Sequence, residues 1–118
     1  MLDLFIKNND GLTEFKGINY TKKGNKLLFN TSEDNYEFII DKTIKMNKEN
    51  KESKISILFD KDNKSNGLYE IKEMNTIFNL NIITNSLEIT EKSVIIDYEL
   101  YIESEYTGNF EIKIIIKE

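Results

Sequence analysis

The sequence lacks seven amino-acid types, and their absence excludes several kinds of chemistry. Among its 118 residues there is no cysteine, histidine, arginine, alanine, glutamine, proline or tryptophan. Without cysteine there can be no disulfide, thiolate metal site or cysteine nucleophile. Without histidine, no side chain titrates near neutral pH unless its pKa is strongly shifted. A general base would therefore have to be Asp, Glu, Lys or Tyr in an unusual environment.

Long apolar runs and net positive charge are also missing. No stretch approaches the roughly 18 apolar residues of a membrane span, and the N-terminal MLDLFIKNNDG carries Asp3 in its short apolar stretch, unlike a signal peptide. The formal charge of −5 argues against nucleic acid or an acidic membrane as partner. A small basic cluster at Lys22, Lys23 and Lys26 surrounds Gly-Asn and is typical of a hairpin tip. We expect a cytoplasmic protein that binds neither nucleic acid nor membranes.

The abundant residue types reflect codon bias more than function. Asn, Lys, Ile, Phe and Tyr together make up more than half of the chain. All five are encoded by A- and T-rich codons, which favours an origin in a low-GC bacterium. The many Asn and Lys residues are therefore no evidence of a binding surface.

Alternation of apolar and polar residues with period two runs through the whole chain and predicts an all-β protein. The breaks between alternating segments are short and rich in Asn, Asp, Gly and Lys, which form turns between antiparallel neighbours. We expect one domain over residues 1–118, with strands near 2–7, 12–22, 26–31, 35–41, 43–47, 54–60, 67–72, 76–83, 86–90, 93–104 and 109–117, some neighbours being one bent strand.

A sheet with one apolar face has to hide that face, and two architectures do so. Short consecutive hairpins with no long return connection favour a single antiparallel up-and-down β-barrel. The alternative is a two-sheet β-sandwich. For the last hairpin, a three-residue loop at Tyr106–Gly108 keeps both apolar faces in phase and predicts that Tyr98 lies opposite Ile116.

Several segments together resemble a known protein family. They are Gly17-Ile18-Asn19-Tyr20, KLLFNTSED at 26–34, NLNIITNSLEI at 79–89, IIDYELYIE at 95–103 and NFEIKIII at 109–116. On these segments, which extend over most of the chain, the sequence resembles the YwiB-like family of small bacterial proteins with a calycin, or lipocalin-like, β-barrel. Within them, Tyr98-Glu99-Leu100 and Asn109 match the family pattern. The resemblance implies a barrel fold and brings no established activity with it.

Groups that could carry catalysis or hold a metal are poorly placed. Asp97 and Glu99 share the polar, outward face of their strand, where carboxylates keep ordinary acidity and solubilise the surface. The loop from Asp62 to Glu73 has calcium-loop spacing, but Lys64 occupies a position that needs a ligand oxygen. No glycine spacing matches a phosphate-binding loop. We therefore predict no catalytic residue, no metal site and no cofactor.

The barrel interior is then the candidate site, for a small apolar ligand. The predicted lining residues are Tyr36, Phe38, Phe59, Phe78, Tyr98 and Leu100, together with Ile55, Ile57, Leu80 and Ile82. Because these side chains are large, and the chain has no Ala and a single Val, a mostly packed core is favoured. The first hypothesis is a non-enzymatic protein with a small apolar pocket at one barrel mouth.

Two other functions stay open. A fully packed barrel would work as an interaction or scaffold module that binds a protein partner or a second copy of itself. Phe5, Leu28, Ile95 and Ile115 interrupt the polar faces of their strands and could form that surface. An enzyme built on Glu, Lys or Tyr is the third hypothesis, and it would need a cleft that buries one of these groups.

Overall fold

The computed structural model describes residues 1–117, in which antiparallel strands form one eleven-stranded sheet. This part of the chain contains no helix that could cross a membrane. The strands are β1 (Leu2–Asn8), β2 (Gly11–Ile18), β3 (Tyr20–Lys23), β4 (Lys26–Asn30), β5 (Asn35–Ile40), β6 (Ile44–Glu49), β7 (Ser53–Phe59), β8 (Ser65–Ile71), β9 (Thr76–Ile89), β10 (Ser93–Ile102) and β11 (Glu105–Ile116).

The strand order is that of an up-and-down barrel. From β3 to β11 each strand pairs with the next one along the chain, and β11 then pairs with β1, which pairs with β2. The turn between β3 and β4 consists of Gly24 and Asn25, as the sequence predicts. The sheet curls into a nearly closed barrel, so the predicted all-β, up-and-down fold is confirmed.

One bent segment, residues 11–23, brings the two edges of the sheet together. Its first half, β2, pairs with β1, and its second half, β3, pairs with β4. Only Asn19 separates the two halves. Because consecutive parts of one segment pair with opposite ends of the meander, the sheet has to wrap around a lumen.

A buried carboxylate holds this bend in place. The β1–β2 pairing shifts between Leu2 and Leu4, which leaves a bulge at Gly17, where φ is +68°. The Gly17 amide donates a hydrogen bond to Asp3 Oδ1 at 3.0 Å, and Lys117 Nζ lies 2.6 Å from Asp3 Oδ2. Asp3 is only 3% exposed. Its carboxylate therefore joins β1 to the bulge and to the residue that follows β11.

A second bulge explains why two predicted strands are one. The segments 76–83 and 86–90 form the continuous strand β9, and its pairing with β10 shifts where Asn85 is inserted. The Asn85 amide group donates to Asp97 Oδ1 and to Asn109 Oδ1, both at 3.2 Å. The extra residue thus turns outward into a polar cluster, while Leu80 and Ile82 before it are buried and Leu87 after it packs against the core.

The predicted pairing of β10 with β11 is wrong. Tyr98 lies opposite Phe110, not Ile116, because the hairpin turns at Glu103 and Ser104, whose φ angles are +48° and +71°. Asn79 of β9 fixes this turn, since it exchanges hydrogen bonds with the Glu103 amide at 2.9 Å and with the Glu103 carboxylate at 2.8 Å. A bulge after Leu100 then brings the apolar faces of the two strands back into phase. The prediction of a three-residue loop assumed a regular pairing without such a bulge.

Side chains fill one half of the barrel completely. The fully buried residues lie near the starts of β1, β6 and β10 and near the ends of β7 and β11, which are neighbouring positions in an antiparallel sheet. We call this region the closed half; its members are Leu2, Leu4, Leu27, Phe38, Ile44, Phe59, Ile82, Ile96 and Ile114. The expectation of a packed core holds here.

The Asp3 anchor should make stability depend on acid pH. Lys117, and then the Gly17 amide, hold the pKa of Asp3 below its ordinary value of 3.8. A lowered folded-state pKa stabilises the fold above about pH 4, and this contribution is lost as the pH falls towards the lowered value. Asp3→Asn should lower the thermal midpoint at neutral pH, and the difference from wild type should shrink in acid.

Circular dichroism melts at several pH values test this, with Asp62→Asn on an exposed loop as the control. Equal midpoints for wild type and Asp3→Asn at neutral pH would contradict the proposed anchor.

Candidate functional site

The other half of the barrel, which we call the open half, contains a cavity of about 300 Å³. Inward-facing residues of eight strands line it: Ile6, Asn8, Tyr36, Met46, Lys48, Ile55, Ile57, Tyr69, Leu80, Tyr98, Leu100, Ile102, Phe110 and Ile112. All but two are apolar or aromatic. Its volume is at the lower end of the roughly 300–1,000 Å³ typical of small-molecule sites.

The cavity arises from the period-two alternation of the strands. In β10, for example, Tyr98, Leu100 and Ile102 point inward in succession and form one wall. The polar lining residues, Asn8 and Lys48, come from the ends of β1 and β6, where the residues are more exposed than at the strand starts. The arrangement is an apolar pocket with a polar rim.

Large aromatic residues leave this space open because they stack along the wall. The Tyr36 ring packs against Phe29, with centroids 5.1 Å apart and planes at 16°, and against Phe38, at 6.2 Å and 9°, and these two rings also contact each other at 5.9 Å. Tyr98 similarly contacts Phe59 at 4.8 Å and Phe110 at 5.6 Å. These ring contacts pack Tyr36 and Tyr98 against neighbouring side chains beside the cavity that both residues line.

The predicted lining residues divide between the two halves of the barrel. Three of the six main candidates border the cavity, namely Tyr36, Tyr98 and Leu100. Of the others, Phe38 and Phe59 are fully buried in the closed half, and the half-buried Phe78 stacks on Tyr69 at 6.0 Å. Among the additional candidates, the cavity is bordered by Ile55, Ile57 and Leu80, whereas Ile82 belongs to the closed half.

Sequence reasoning missed the charged residue at the rim. Lys48 follows Ile44 and Met46 on the inward face of β6, so a lysine at the end of an apolar alternation is the signal that could have found it. Its ammonium group lies 3.8 Å from Asp34 Oδ2 and 5.7 Å from the centre of the Tyr36 ring. Lys48 therefore places positive charge beside the cavity.

The two buried phenols are the most perturbed groups in the cavity. Burial raises the pKa of Tyr98, and burial, followed by the charges of Asp34 and Tyr98, raises the pKa of Tyr36. Both phenols therefore stay neutral at physiological pH. Neutral phenols among apolar walls suit an uncharged apolar ligand in the body of the cavity, with the charge of Lys48 at its rim.

The arrangement offers no obvious metal site. No group of three or more carboxylates close enough to hold a metal ion occurs in residues 1–117. Asp62 and Glu73, the first and last positions of the calcium-like spacing, flank opposite ends of strand β8. Residues 62–73 therefore cannot close around an ion as a loop does.

No protein-family model matches this sequence, and no curated protein sequence is significantly similar to it. Among solved structures, the chain is similar to the crystal structure of the YwiB protein from Bacillus subtilis. The two share 17% sequence identity, with a TM-score of 0.49, over 99% of this chain and 92% of that one. Membership of the YwiB-like family and the calycin-like assignment stay predictions.

The buried phenols should make the fold sensitive to alkali. Because their folded-state pKa values are raised above the ordinary 10.0, both ionise more readily in the unfolded chain. Each tyrosine should therefore lower the free energy of unfolding by up to about 1.4 kcal/mol for every pH unit above pH 10. A Tyr36→Phe/Tyr98→Phe variant should unfold at higher pH than wild type in an alkaline titration followed by circular dichroism. Tyr106→Phe, at an exposed position, controls for loss of a phenol; an unchanged midpoint in the double variant would refute the prediction.

Proposed function

We propose that the protein is a non-enzymatic, calycin-like barrel that binds a small apolar molecule in its open half and acts in the cytoplasm. The single observation that carries this proposal is the cavity of about 300 Å³ with apolar walls and a polar rim. Its base is the closed half, whose side chains are packed without exposure. A rigid base, apolar walls and a few polar groups are the usual features of a ligand pocket.

The titratable groups support binding over catalysis. The groups with a shifted pKa are Asp3 and Glu49, which are lowered, and Tyr36 and Tyr98, which are raised. All four move away from neutrality, whereas a general acid or base works best with a pKa near the operating pH. The two phenols of the cavity are therefore poor general acids or bases near neutral pH.

A cavity-filling substitution tests the proposal. Leu100→Phe adds volume to the cavity wall, whereas Leu68→Phe makes the same change on the outer surface, where Leu68 is 49% exposed. Naphthalene is a suitable apolar probe because the chain has no tryptophan to interfere with its fluorescence. Overpacking by about 1.4 kcal/mol corresponds to a tenfold loss of affinity.

Wild type and Leu68→Phe should bind naphthalene with equal affinity, and Leu100→Phe should bind it about tenfold more weakly. Failure of wild type to bind, or an equal loss in both variants, would overturn the proposal.

A second candidate function, binding of a protein partner, is favoured by exposed apolar residues on the outer face. Leu58, Leu68 and Ile77 lie on the adjacent strands β7, β8 and β9 and are 38%, 49% and 58% exposed. They border shallow outer depressions. The residues predicted from the sequence for this role, Phe5, Leu28, Ile95 and Ile115, are instead half-buried.

Native mass spectrometry of protein purified gently from its own host separates the two functions. The ligand-binding proposal predicts a bound small-molecule mass that is lost on denaturation. A bound polypeptide, or a dimer that Leu68→Lys dissociates, would instead favour the outer face.

A further inference from the structure

Two tyrosines face each other across the cavity. Tyr36 lies on β5 and Tyr98 on β10, five positions apart in the eleven-stranded sheet, and both line the same space. They are 4% and 6% exposed. Each ring packs against aromatic neighbours, Phe29 and Phe38 for the first and Phe59 and Phe110 for the second. Because both side chains also border the cavity, their hydroxyl groups are available to a molecule in it.

Neither phenol has a hydrogen-bond partner among residues 1–117. The pKa of Tyr98 is raised by burial alone, and that of Tyr36 by burial and nearby charge, with no hydrogen bond contributing to either. Their oxygens are also not sealed off from solvent in the way that Thr84 Oγ1, a buried unpartnered hydroxyl, is. Each hydroxyl group therefore reaches the space of the cavity, where water or a bound molecule can accept its hydrogen bond.

The cavity wall offers these donors little to bind. Apart from the two tyrosines and Tyr69, its lining side chains are apolar except for Asn8 and Lys48. Lys48 is itself a donor, and its ammonium group lies 5.7 Å from the centre of the Tyr36 ring. Two hydroxyl groups and one cation around the same space favour an occupant that accepts hydrogen bonds.

We propose that the bound molecule is an apolar compound with one uncharged hydrogen-bond acceptor, such as a ketone oxygen, that the hydroxyl groups of Tyr36 and Tyr98 bind from opposite walls. Its hydrocarbon part packs against Met46, Leu80 and Leu100. This inference rests on the proposed function and adds the chemical class of the ligand to it.

Acetophenone and α-methylstyrene are a matched pair of probes, because they differ only in the replacement of a carbonyl oxygen by a methylene group. The ketone is better hydrated than the alkene, so it loses more free energy on leaving water for any apolar site. The informative comparison is therefore the change in affinity of each probe between wild type and the variants. Tyr36→Phe and Tyr98→Phe should each weaken acetophenone binding by roughly tenfold and leave α-methylstyrene binding unchanged or tighter. Tyr106→Phe, at an exposed position outside the cavity lining, should change neither affinity.

Isothermal titration calorimetry and infrared spectroscopy measure these effects independently. The carbonyl stretch of acetophenone bound to wild type should lie at lower frequency than in hexane, and this shift should decrease in both variants. Because the stretch is read on wild type, the inference stays testable if a variant does not fold.

The two proposals fail in different ways. Suppose that both probes bind wild type, but each tyrosine variant changes both affinities by the same factor or the carbonyl stretch is unshifted. The proposed hydrogen-bond acceptor is then wrong, while the proposed ligand cavity is still supported. If neither probe binds wild type, the ligand-binding function fails and the acceptor with it.

Discussion

The bend in residues 11–23 is the constraint on which the barrel depends. This segment pairs with β1 through its first half and with β4 through its second, so the lumen exists because the segment changes direction near Gly17 and Asn19. A bulge leaves a backbone amide without a strand partner, and a buried carboxylate such as Asp3 needs donors of this kind. Asp3 accepts the Gly17 amide and also binds Lys117. One carboxylate thus satisfies the bulge and fixes the bent segment to the strands on which it closes.

The contrast between the two halves of the barrel follows from the direction of the side chains more than from their size. In the closed half, Phe38 and Phe59 are fully buried, and each also contacts one of the cavity tyrosines. In the open half, Tyr36 and Tyr98 lie against neighbouring rings along the wall. A composition without alanine therefore does not exclude a cavity, because stacked rings can leave open the space that small residues would otherwise provide.

Local patterns predicted the strands, and contacts distant in sequence decided what those patterns missed. The strand positions and the Gly24–Asn25 turn follow from alternation and turn chemistry. The β10–β11 register does not, because Asn79 fixes the Glu103 turn from a strand 24 residues away. In the site, Tyr98 was identifiable as a phenol on an apolar face. Lys48 was missed because the predicted strand 43–47 ended one residue before it.

Packing explains the aromatic rings of Tyr36 and Tyr98 but not their hydroxyl groups. Phenylalanine would make the same ring contacts with Phe38 and Phe59 without placing a polar hydroxyl group in a nearly buried position. Codon bias does not explain the choice either, since Phe and Tyr are both encoded by A- and T-rich codons and are almost equally frequent here, at seven and six residues. Two hydroxyl groups at the border between a packed core and a cavity are therefore best explained by what the cavity holds.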